Sequence, residues 1–246
     1  MGNTTLVLVP GLMCDQVVWS DVLVHLGPLA QSAVVPDHGM CDDIEGMAKQ
    51  ILSSVPGPLA VAGHSMGGRV ALEMRRLAPQ RVQHLALLDT GYLARPSGSE
   101  GEAEAAKRQN LLNLAQNQGV EVMARTWAQG MVHPSRLSDM ALMDAIVAMF
   151  ARRTPAHFAG QIRALLARPD ASQTLQGIGG PVYLLCGAQD SWSPVAQHQA
   201  MANLLPHSVL SVIESAGHMA PMEQPAAVAQ VLVEWLVSKP LASEQA

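Results

Sequence analysis

Charged and aromatic residues are both scarce in this sequence of 246 residues. Only 14% of the residues are charged and only 3% are Phe, Trp or Tyr, whereas 49% are hydrophobic. This balance excludes general disorder and permits a large buried core in one compact unit. The net charge is -5, and the lysines and arginines are scattered along the chain. We therefore expect no nucleic-acid partner, since that would require a continuous basic surface.

Cysteines are also few, and long apolar stretches are missing. Cys14, Cys41 and Cys186 lie far apart without metal-ligand spacing, which predicts free thiols in a reducing compartment and no metal site. No stretch approaches the roughly 20 apolar residues of a membrane-spanning helix. The apolar run at residues 6–9 is too short for the core of a signal peptide. The sequence therefore predicts a cytoplasmic protein without a membrane partner.

Short apolar runs alternate with longer amphipathic stretches along most of the chain. The runs are rich in leucine or β-branched residues, which is typical of strands buried on both faces of a parallel sheet. They cover residues 4–10, 32–36, 59–65, 84–89, 182–186 and 209–214. Helical patterns lie between them, over residues 17–26, 44–55, 67–78, 194–205 and 226–237. This alternation predicts an α/β fold, a doubly wound, mostly parallel sheet of about six strands with helices on both faces.

The stretch from residue 91 to residue 176 breaks the alternation. It holds no convincing strand, and helical periodicity recurs at residues 103–118, 120–129, 137–152 and 155–167. We interpret residues 91–176 as a helical lid inserted into a core formed by residues 1–90 and 177–246. The alternative is a helical elaboration that only enlarges the core.

The pentapeptide Gly63-His64-Ser65-Met66-Gly67 has the form G-x-S-x-G. It follows a predicted strand and precedes a predicted helix, a context in which this motif forms a sharp turn that exposes the serine hydroxyl. Glycines on both sides remove the Cβ atoms that would clash in so tight a turn. Ser65 is therefore the candidate nucleophile, and the alternative is an ordinary turn serine.

A serine hydroxyl becomes a good nucleophile only when a positioned base takes its proton and an acid orients that base. Among nine histidines, His218 is the one that follows the last predicted strand. Asp190 follows the preceding strand, so both side chains are expected at the sheet edge where Ser65 lies. The order Ser, Asp, His along the chain matches one of the known orders of such triads. Asp89, which also follows a strand, remains the rival acid.

Two backbone N–H groups must face the oxygen that becomes negative during acyl transfer. Met66 directly follows the candidate nucleophile and supplies one of them. The other is expected from the loop after the first strand, with Leu12 as the donor. In a doubly wound sheet, this loop and Ser65 flank the point where ligands bind.

Together these motifs resemble the α/β-hydrolase superfamily. The glycine-flanked Ser65 turn, the loop at residues 187–190 and the segment at residues 217–223 follow one another in the order of that superfamily. The likeness covers nearly the whole chain, and within the superfamily it is similar to small lid-bearing carboxylesterases and lactonases. The chain departs from the usual pattern where Pro10-Gly11 stands in place of the usual His-Gly. The expected donor at Leu12 is a backbone N–H group, and this group is present whether or not a histidine stands in the loop.

The resemblance implies a serine hydrolase that forms an acyl-enzyme from a small carboxylic ester, thioester or lactone, without a metal or organic cofactor. A serine at position 65 excludes the relatives with an aspartate nucleophile, which are dehalogenases and epoxide hydrolases. Two alternatives stay open: a triad-bearing hydrolase or lyase that acts on C–C bonds, and a ligand receptor with slow turnover. In each case the expected partner is a small molecule.

Substrate specificity is expected to come from the lid, which carries a flexible apolar set suited to an adaptable wall. This set consists of Met123, Trp127, Met131, Met140, Met143 and Met149. Trp127, Met131 and Met149 are the candidate substrate contacts in the lid, and Trp192 and Met219 are the candidates beside the acid and the base. For the lid residues the alternative is helix packing alone.

Overall fold

The strands of the protein form one parallel sheet. The computed structural model describes residues 4–241. Five strands lie in the order β1-β2-β3-β4-β5, and every neighbouring pair is parallel. They are β1 (Thr5–Val9), β2 (Leu59–His64), β3 (Val82–Leu88), β4 (Val182–Gly187) and β5 (Val209–Ile213). All residues of β2 and β4 are buried, whereas the edge strand β5 is buried only at Ile213.

The segment at residues 32–36, predicted as a strand, is reduced to a single bridge beside β1. Val34 pairs with Val7. The N–H of Leu8 donates to the Val34 carbonyl at 2.9 Å, and the N–H of Val34 donates to the Leu6 carbonyl at 2.8 Å. Pro36 has no N–H with which to extend this ladder. The predicted fold class is confirmed, with five strands and one bridge in place of about six strands.

Helices cover both faces of the sheet. Near the chain ends, α1 (Ser20–Leu26) packs against α11 (Pro225–Leu236). In the other layer, α2 (Ile44–Ser54) packs against α3 (Met66–Leu77), and α3 also contacts β1, β2 and β3. The remaining core helices are α9 (Val195–Leu204), which packs on β4 and β5, and the short α10 (Ala220–Glu223). Within residues 4–241, no helix is long and apolar enough to cross a membrane.

The elements between β3 and β4 are helices. They are α4 (Gly98–Gln118), α5 (Val120–Ala128), α6 (Met140–Ala151), α7 (Pro155–Leu166) and α8 (Ser172–Gln176), with a short 3-10 turn at Pro134–Arg136. We call α4–α7 and their connections the inserted helices. Three ion pairs join them to loops of the core: Arg152–Asp15 at 2.7 Å, Arg153–Asp37 at 2.8 Å and Arg163–Asp42 at 3.1 Å. The inserted helices are therefore anchored beside the carboxyl ends of the first strands.

Candidate active site

Ser65 lies in a strained turn between β2 and α3. Its φ is 55°, a region that residues other than glycine rarely adopt. A Cβ on Gly63 would lie 2.2 Å from the carbonyl oxygen of Gly67, and one on Gly67 would lie 2.2 Å from that of Val9. The turn therefore tolerates no side chain at either glycine, and this close packing holds the Ser65 hydroxyl at the sheet edge.

Backbone strain is concentrated at this edge. Within residues 4–241, the residues other than glycine with positive φ are Met13, Ser65, Asp89 and Ser215. Each of them follows the carboxyl end of a strand. Strained conformations persist only where the surrounding structure holds them, and they cluster at functional sites. The strain therefore marks the same edge as the sequence motifs do.

His218 bridges Ser65 and Asp190. Its Nδ1 lies 2.8 Å from Oδ2 of Asp190, and its Nε2 lies 2.8 Å from Oγ of Ser65. An ionised carboxylate only accepts hydrogen bonds, so Nδ1 carries the proton, and Nε2 is left as an acceptor for the serine hydroxyl. This tautomer is the one that a general base toward Ser65 requires.

Asp190 is buried and held by its own loop. Its Oδ1 accepts hydrogen bonds from the N–H groups of Trp192 at 2.8 Å and Ser193 at 3.0 Å. Burial alone would raise the pKa of this carboxyl. The charge of His218 and the hydrogen bonds from His218 and the two amides outweigh burial and hold the pKa below its ordinary value. Asp190 is therefore ionised and fixed in the orientation that faces His218.

Asp89, the rival acid, has a different environment. Its Oδ1 accepts the N–H of Gly187 at 2.8 Å, and its Oδ2 lies 3.8 Å from Nε2 of His64. Burial, followed by the charge of neighbouring Asp190, raises the pKa of Asp89 well above its ordinary value. Asp190, not Asp89, makes the hydrogen bond to His218.

The raised pKa of Asp89 leads to a pH-dependent prediction. A carboxyl whose pKa is higher in the folded state stabilises the protein fully below its unfolded pKa of about 3.9. That contribution is lost as the pH rises through the folded-state pKa. Asparagine does not titrate, so Asp89→Asn should gain in Tm relative to the wild type as the pH rises above the unfolded pKa of about 3.9. Thermal unfolding across this range measures the difference, and a difference that stays constant or reverses would contradict the assignment.

The two candidate oxyanion donors lie beside Ser65. Leu12 and Met66 both line the cavity that contains the Ser65 and His218 side chains. Met66 is the first residue of α3, so its N–H has no partner within the helix. The Leu12 loop is close to Ser65, since a Cβ on Gly11 would lie 3.2 Å from Cβ of Ser65. The residues that carry the two candidate N–H donors thus follow the neighbouring strands β1 and β2 and lie beside Ser65.

The Leu12 loop is supported by two side chains that the motifs did not indicate. Gln161 of α7 is buried, and its Oε1 accepts the N–H of Met13 at 2.8 Å. His38 is also buried, and its Nε2 donates to the Pro10 carbonyl at 2.9 Å. These contacts orient the loop where Pro10-Gly11 replaces the usual His-Gly. Gln161 comes from the inserted helices, 148 residues further along the chain.

The His218 loop is likewise held from the inserted helices. The carbonyl of Met131 accepts the N–H groups of His218 at 2.6 Å and of Met219 at 3.2 Å. Buried Glu223 accepts the N–H of His133 at 2.6 Å and that of Gly217 at 2.8 Å. The sequence showed Glu223 five residues after His218, but its role depends on a contact with a distant segment.

His64, the second residue of the pentapeptide, also supports the His218 loop. Its Nε2 lies 2.7 Å from the carbonyl oxygen of His218, so this nitrogen carries the proton. Burial, followed by the charge of His218, lowers the pKa of His64 to about 3. His64 therefore stays neutral near pH 7 and serves as a hydrogen-bond donor.

A cavity of about 990 Å³ opens above these residues. Four candidate substrate contacts line it, namely Trp127, Met131, Trp192 and Met219. The Trp127 and Trp192 rings are stacked with their centroids 5.7 Å apart, and the Trp192 centroid lies 4.9 Å from that of His218. Within residues 4–241, no cluster of His, Cys, Asp and Glu is arranged to hold a metal ion.

Met149 requires a correction. It is fully buried, and it is not among the residues that line the cavity. The next residue, Phe150, lines the cavity instead, with its ring centroid 5.3 Å from that of Trp127. Successive residues on a helix point in directions about 100° apart, so α6 directs Phe150 to the cavity and Met149 into the packing of the inserted helices.

Known proteins match this chain along most of its length. It is 26% identical over 250 residues to the pimeloyl-[acyl-carrier protein] methyl ester esterase of Aromatoleum aromaticum, covering 96% of this chain and 99% of that one. It is 30% identical over 179 residues to the 2-succinyl-6-hydroxy-2,4-cyclohexadiene-1-carboxylate synthase of Klebsiella pneumoniae, covering 72% of this chain and 67% of that one.

A solved structure also matches this chain along most of its length. A thermophilic esterase from Thermogutta terrifontis, with malate bound, superposes with a TM-score of 0.82 at 27% identity, covering 95% of this chain and 89% of that one. These relatives agree with the predicted enzyme class. The family model described as the alpha/beta hydrolase family matches residues 6–231. The chain belongs to the α/β hydrolase family.

Proposed function

We propose that this protein is a serine hydrolase that cleaves a small carboxylic ester, thioester or lactone. Ser65 is the nucleophile, His218 the general base and Asp190 the acid that orients the base. The observation that carries the proposal is the pair of 2.8 Å contacts that the His218 ring makes with Ser65 and Asp190. This geometry provides a base for the hydroxyl and an orienting acid for the base.

The reaction proceeds in two halves. In the first, Oγ of Ser65 attacks the carbonyl carbon while Nε2 of His218 takes its proton. The tetrahedral intermediate then collapses to an acyl-enzyme, and His218 gives the proton to the leaving oxygen or sulfur. In the second half, His218 activates a water molecule that hydrolyses the acyl-enzyme and releases Ser65. The ionised Asp190 stabilises the imidazolium that forms in each half.

The oxyanion of each intermediate is stabilised by the N–H groups of Leu12 and Met66. Both residues line the cavity at Ser65, and Met66 begins α3, whose N-terminus favours negative charge. Removing one such donor in a serine protease costs roughly 10²–10³ in kcat. The contact from Gln161 to Met13 therefore supports a group that matters for the rate.

A lyase that uses the same residues is the second candidate. The observation that favours it is that a relative named as a synthase, and not as an esterase, is 30% identical over 179 residues, in Klebsiella pneumoniae. In such a reaction His218 would abstract a proton from carbon instead of activating Ser65 for attack. One fold hosts both chemistries, so membership of the family does not distinguish a hydrolase from a lyase.

A substrate panel distinguishes these candidates. We expect p-nitrophenyl esters, thioesters and lactones to be turned over, with a pre-steady-state burst from the acyl-enzyme. Turnover of an elimination substrate with no burst on any ester would support the lyase. Tight binding of panel compounds without turnover would support a ligand receptor, the third alternative.

We further propose that residues 91–176 act as a lid over a core of residues 1–90 and 177–246. Trp127, Phe150 and Leu165 of the inserted helices line the cavity that contains Ser65. The occupant of such a cavity is a small molecule, and these walls select its shape.

Trp127→Ala is expected to shift acyl-chain preference by about tenfold to a hundredfold. One methylene in an apolar pocket is worth roughly 1–3 kcal/mol of discrimination, and removing the indole enlarges the cavity beside Trp192. The measurement is kcat/KM from acetyl to decanoyl esters. Met149→Ala is the matched control: it should lower stability by about 2–5 kcal/mol without changing the chain-length profile. A profile altered by Met149→Ala and unaltered by Trp127→Ala would reverse the assignment.

A further inference from the structure

The cavity that contains Ser65 has a charged end as well as an apolar one. Arginine and lysine side chains line it beside the α3 and α4 helices: Arg69, Lys107, Arg108 and Arg168. Only two carboxylates among the lining residues oppose them at that end, Glu100 and Glu104. This end therefore carries an excess of positive charge, in a cavity whose other walls include the apolar and aromatic side chains of Leu12, Trp127 and Phe150.

Glu104 already forms ion pairs with two of these cations, Arg168 and Arg108. Both of its oxygens pair with Arg168, at 2.7 Å to Nη1 and 2.8 Å to Nη2, and Arg108 donates to Oε1 through Nη2 at 2.9 Å. Burial alone would raise the pKa of Glu104, but these hydrogen bonds outweigh it and lower the pKa to about 2. Arg108 and Arg168 are thus held in place by a carboxylate of the protein itself.

Arg69 has no such partner. Within residues 4–241, no carboxylate oxygen lies within 4.0 Å of its guanidinium, and its Nη1 donates to the carbonyl of Leu93 at 2.8 Å. Burial and then the charge of Arg168 lower its pKa to about 9, against smaller opposing effects of Glu104 and Asp170. Arg69 therefore remains a cation at pH 7, in a site where an added negative charge would be favourable.

Arg69 is also close to the reacting group. Ser65 directly precedes α3, and Arg69 is the fourth residue of that helix, in its first turn. Both side chains line the same cavity. A molecule whose ester carbonyl reaches Ser65 can therefore place a second group of its own at Arg69.

We infer that Arg69, supported by the Glu104-fixed Arg168, forms a subsite for a carboxylate carried by the substrate, so that the preferred substrates are esters that bear a second, free carboxylate. This inference rests on the proposed ester hydrolysis. A guanidinium pairs with a carboxylate through two parallel hydrogen bonds, and one guanidinium without an acidic partner matches one negative charge.

The turnover experiment compares each monomethyl ester of succinate, adipate and suberate with the neutral dimethyl ester of the same acid. We expect the best half-ester to exceed its dimethyl counterpart in kcat/KM by about tenfold to a hundredfold, the scale of one hydrogen-bonded ion pair. Arg69→Gln should bring this ratio close to one. Arg69→Lys keeps the positive charge but cannot form two parallel hydrogen bonds to a carboxylate, so it should retain part of the preference.

Arg125→Gln is the matched control. Arg125 lies on α5, pairs with Glu121 at 3.0 Å and Asp144 at 3.2 Å, and does not line the cavity. Its substitution should leave the ratio unchanged. If the wild type shows no preference for half-esters, or if Arg69→Gln lowers kcat/KM for half-esters and dimethyl esters by the same factor, the subsite does not exist.

A binding experiment separates this inference from the proposed function. Calorimetry with Ser65→Ala protein measures the affinity for monomethyl and dimethyl adipate without turnover. Tighter binding of the half-ester that disappears in Ser65→Ala/Arg69→Gln would support the subsite even if the wild type hydrolysed no ester. Ser65-dependent hydrolysis of neutral esters with equal binding of both adipates would retain the hydrolase and overturn the subsite.

Discussion

Ser65→Ala is expected to lower kcat for ester hydrolysis by roughly 10⁴–10⁶-fold, the range found when a member of such a triad is removed. The residual rate would come from binding and from the N–H groups of Leu12 and Met66, which the substitution leaves in place. The substitution removes the hydrogen bond between the Ser65 hydroxyl and Nε2 of His218. The loss of this one contact should not unfold the protein.

Steady-state kinetics on a p-nitrophenyl ester, together with thermal unfolding of the same preparation, measures this effect. The unfolding curve is the control, because a folded but inactive variant separates chemistry from stability. If Ser65→Ala keeps a tenth of the wild-type activity, Ser65 is not the nucleophile.

Asp190→Asn is expected to lower kcat by roughly 10⁴-fold. The asparagine can still accept the N–H groups of Trp192 and Ser193, so the loop keeps its shape. Its amide nitrogen would donate where the carboxylate accepts, which favours the His218 tautomer with Nδ1 unprotonated. Nε2 then carries the proton and cannot accept one from Ser65.

Asp89→Asn is the matched comparison, since both changes replace a buried carboxylate by an amide at the same sheet edge. Asp89 accepts the N–H of Gly187 and makes no hydrogen bond to His218, so its substitution should affect kcat far less. The kcat values of both variants, measured with one ester at one pH, show which substitution has the larger effect. A larger loss in Asp89→Asn than in Asp190→Asn would move the orienting role to Asp89.

The residues proposed for chemistry could be located from sequence because each is tied to the end of a strand. Ser65 directly follows β2, Asp190 lies three residues beyond β4, and His218 lies five residues beyond β5. Parallel strands bring their carboxyl ends to one edge. Short buried strands and tight turns are encoded locally. The predicted positions and the observed side-chain contacts therefore coincide without any knowledge of the loops between them.

The supporting contacts could not be predicted, because they join segments far apart in sequence. Gln161 lies 148 residues from Met13, and His133 lies 90 residues from Glu223. The inserted segment therefore also positions the loops that carry the candidate catalytic groups. It supplies the Met131 carbonyl that holds the His218 backbone.

Two further differences come from side-chain direction and from strand length. Periodicity predicted a helix at residues 137–152 but not which of its apolar side chains faces the cavity, and packing places Phe150 there instead of Met149. The run at residues 32–36 has strand composition, but it lies at an edge beside β1 and ends at Pro36, so it forms a single bridge.

The central claim is that Ser65 becomes covalently acylated, and one measurement tests it most directly. The wild-type protein is incubated with a fluorophosphonate, which reacts with activated serines, and the modified peptide is identified by mass spectrometry. We expect a single adduct on Ser65, which is absent from Ser65→Ala protein and greatly slowed in Asp190→Asn protein. An adduct on another residue, or no adduct in a preparation that hydrolyses esters, would contradict the account.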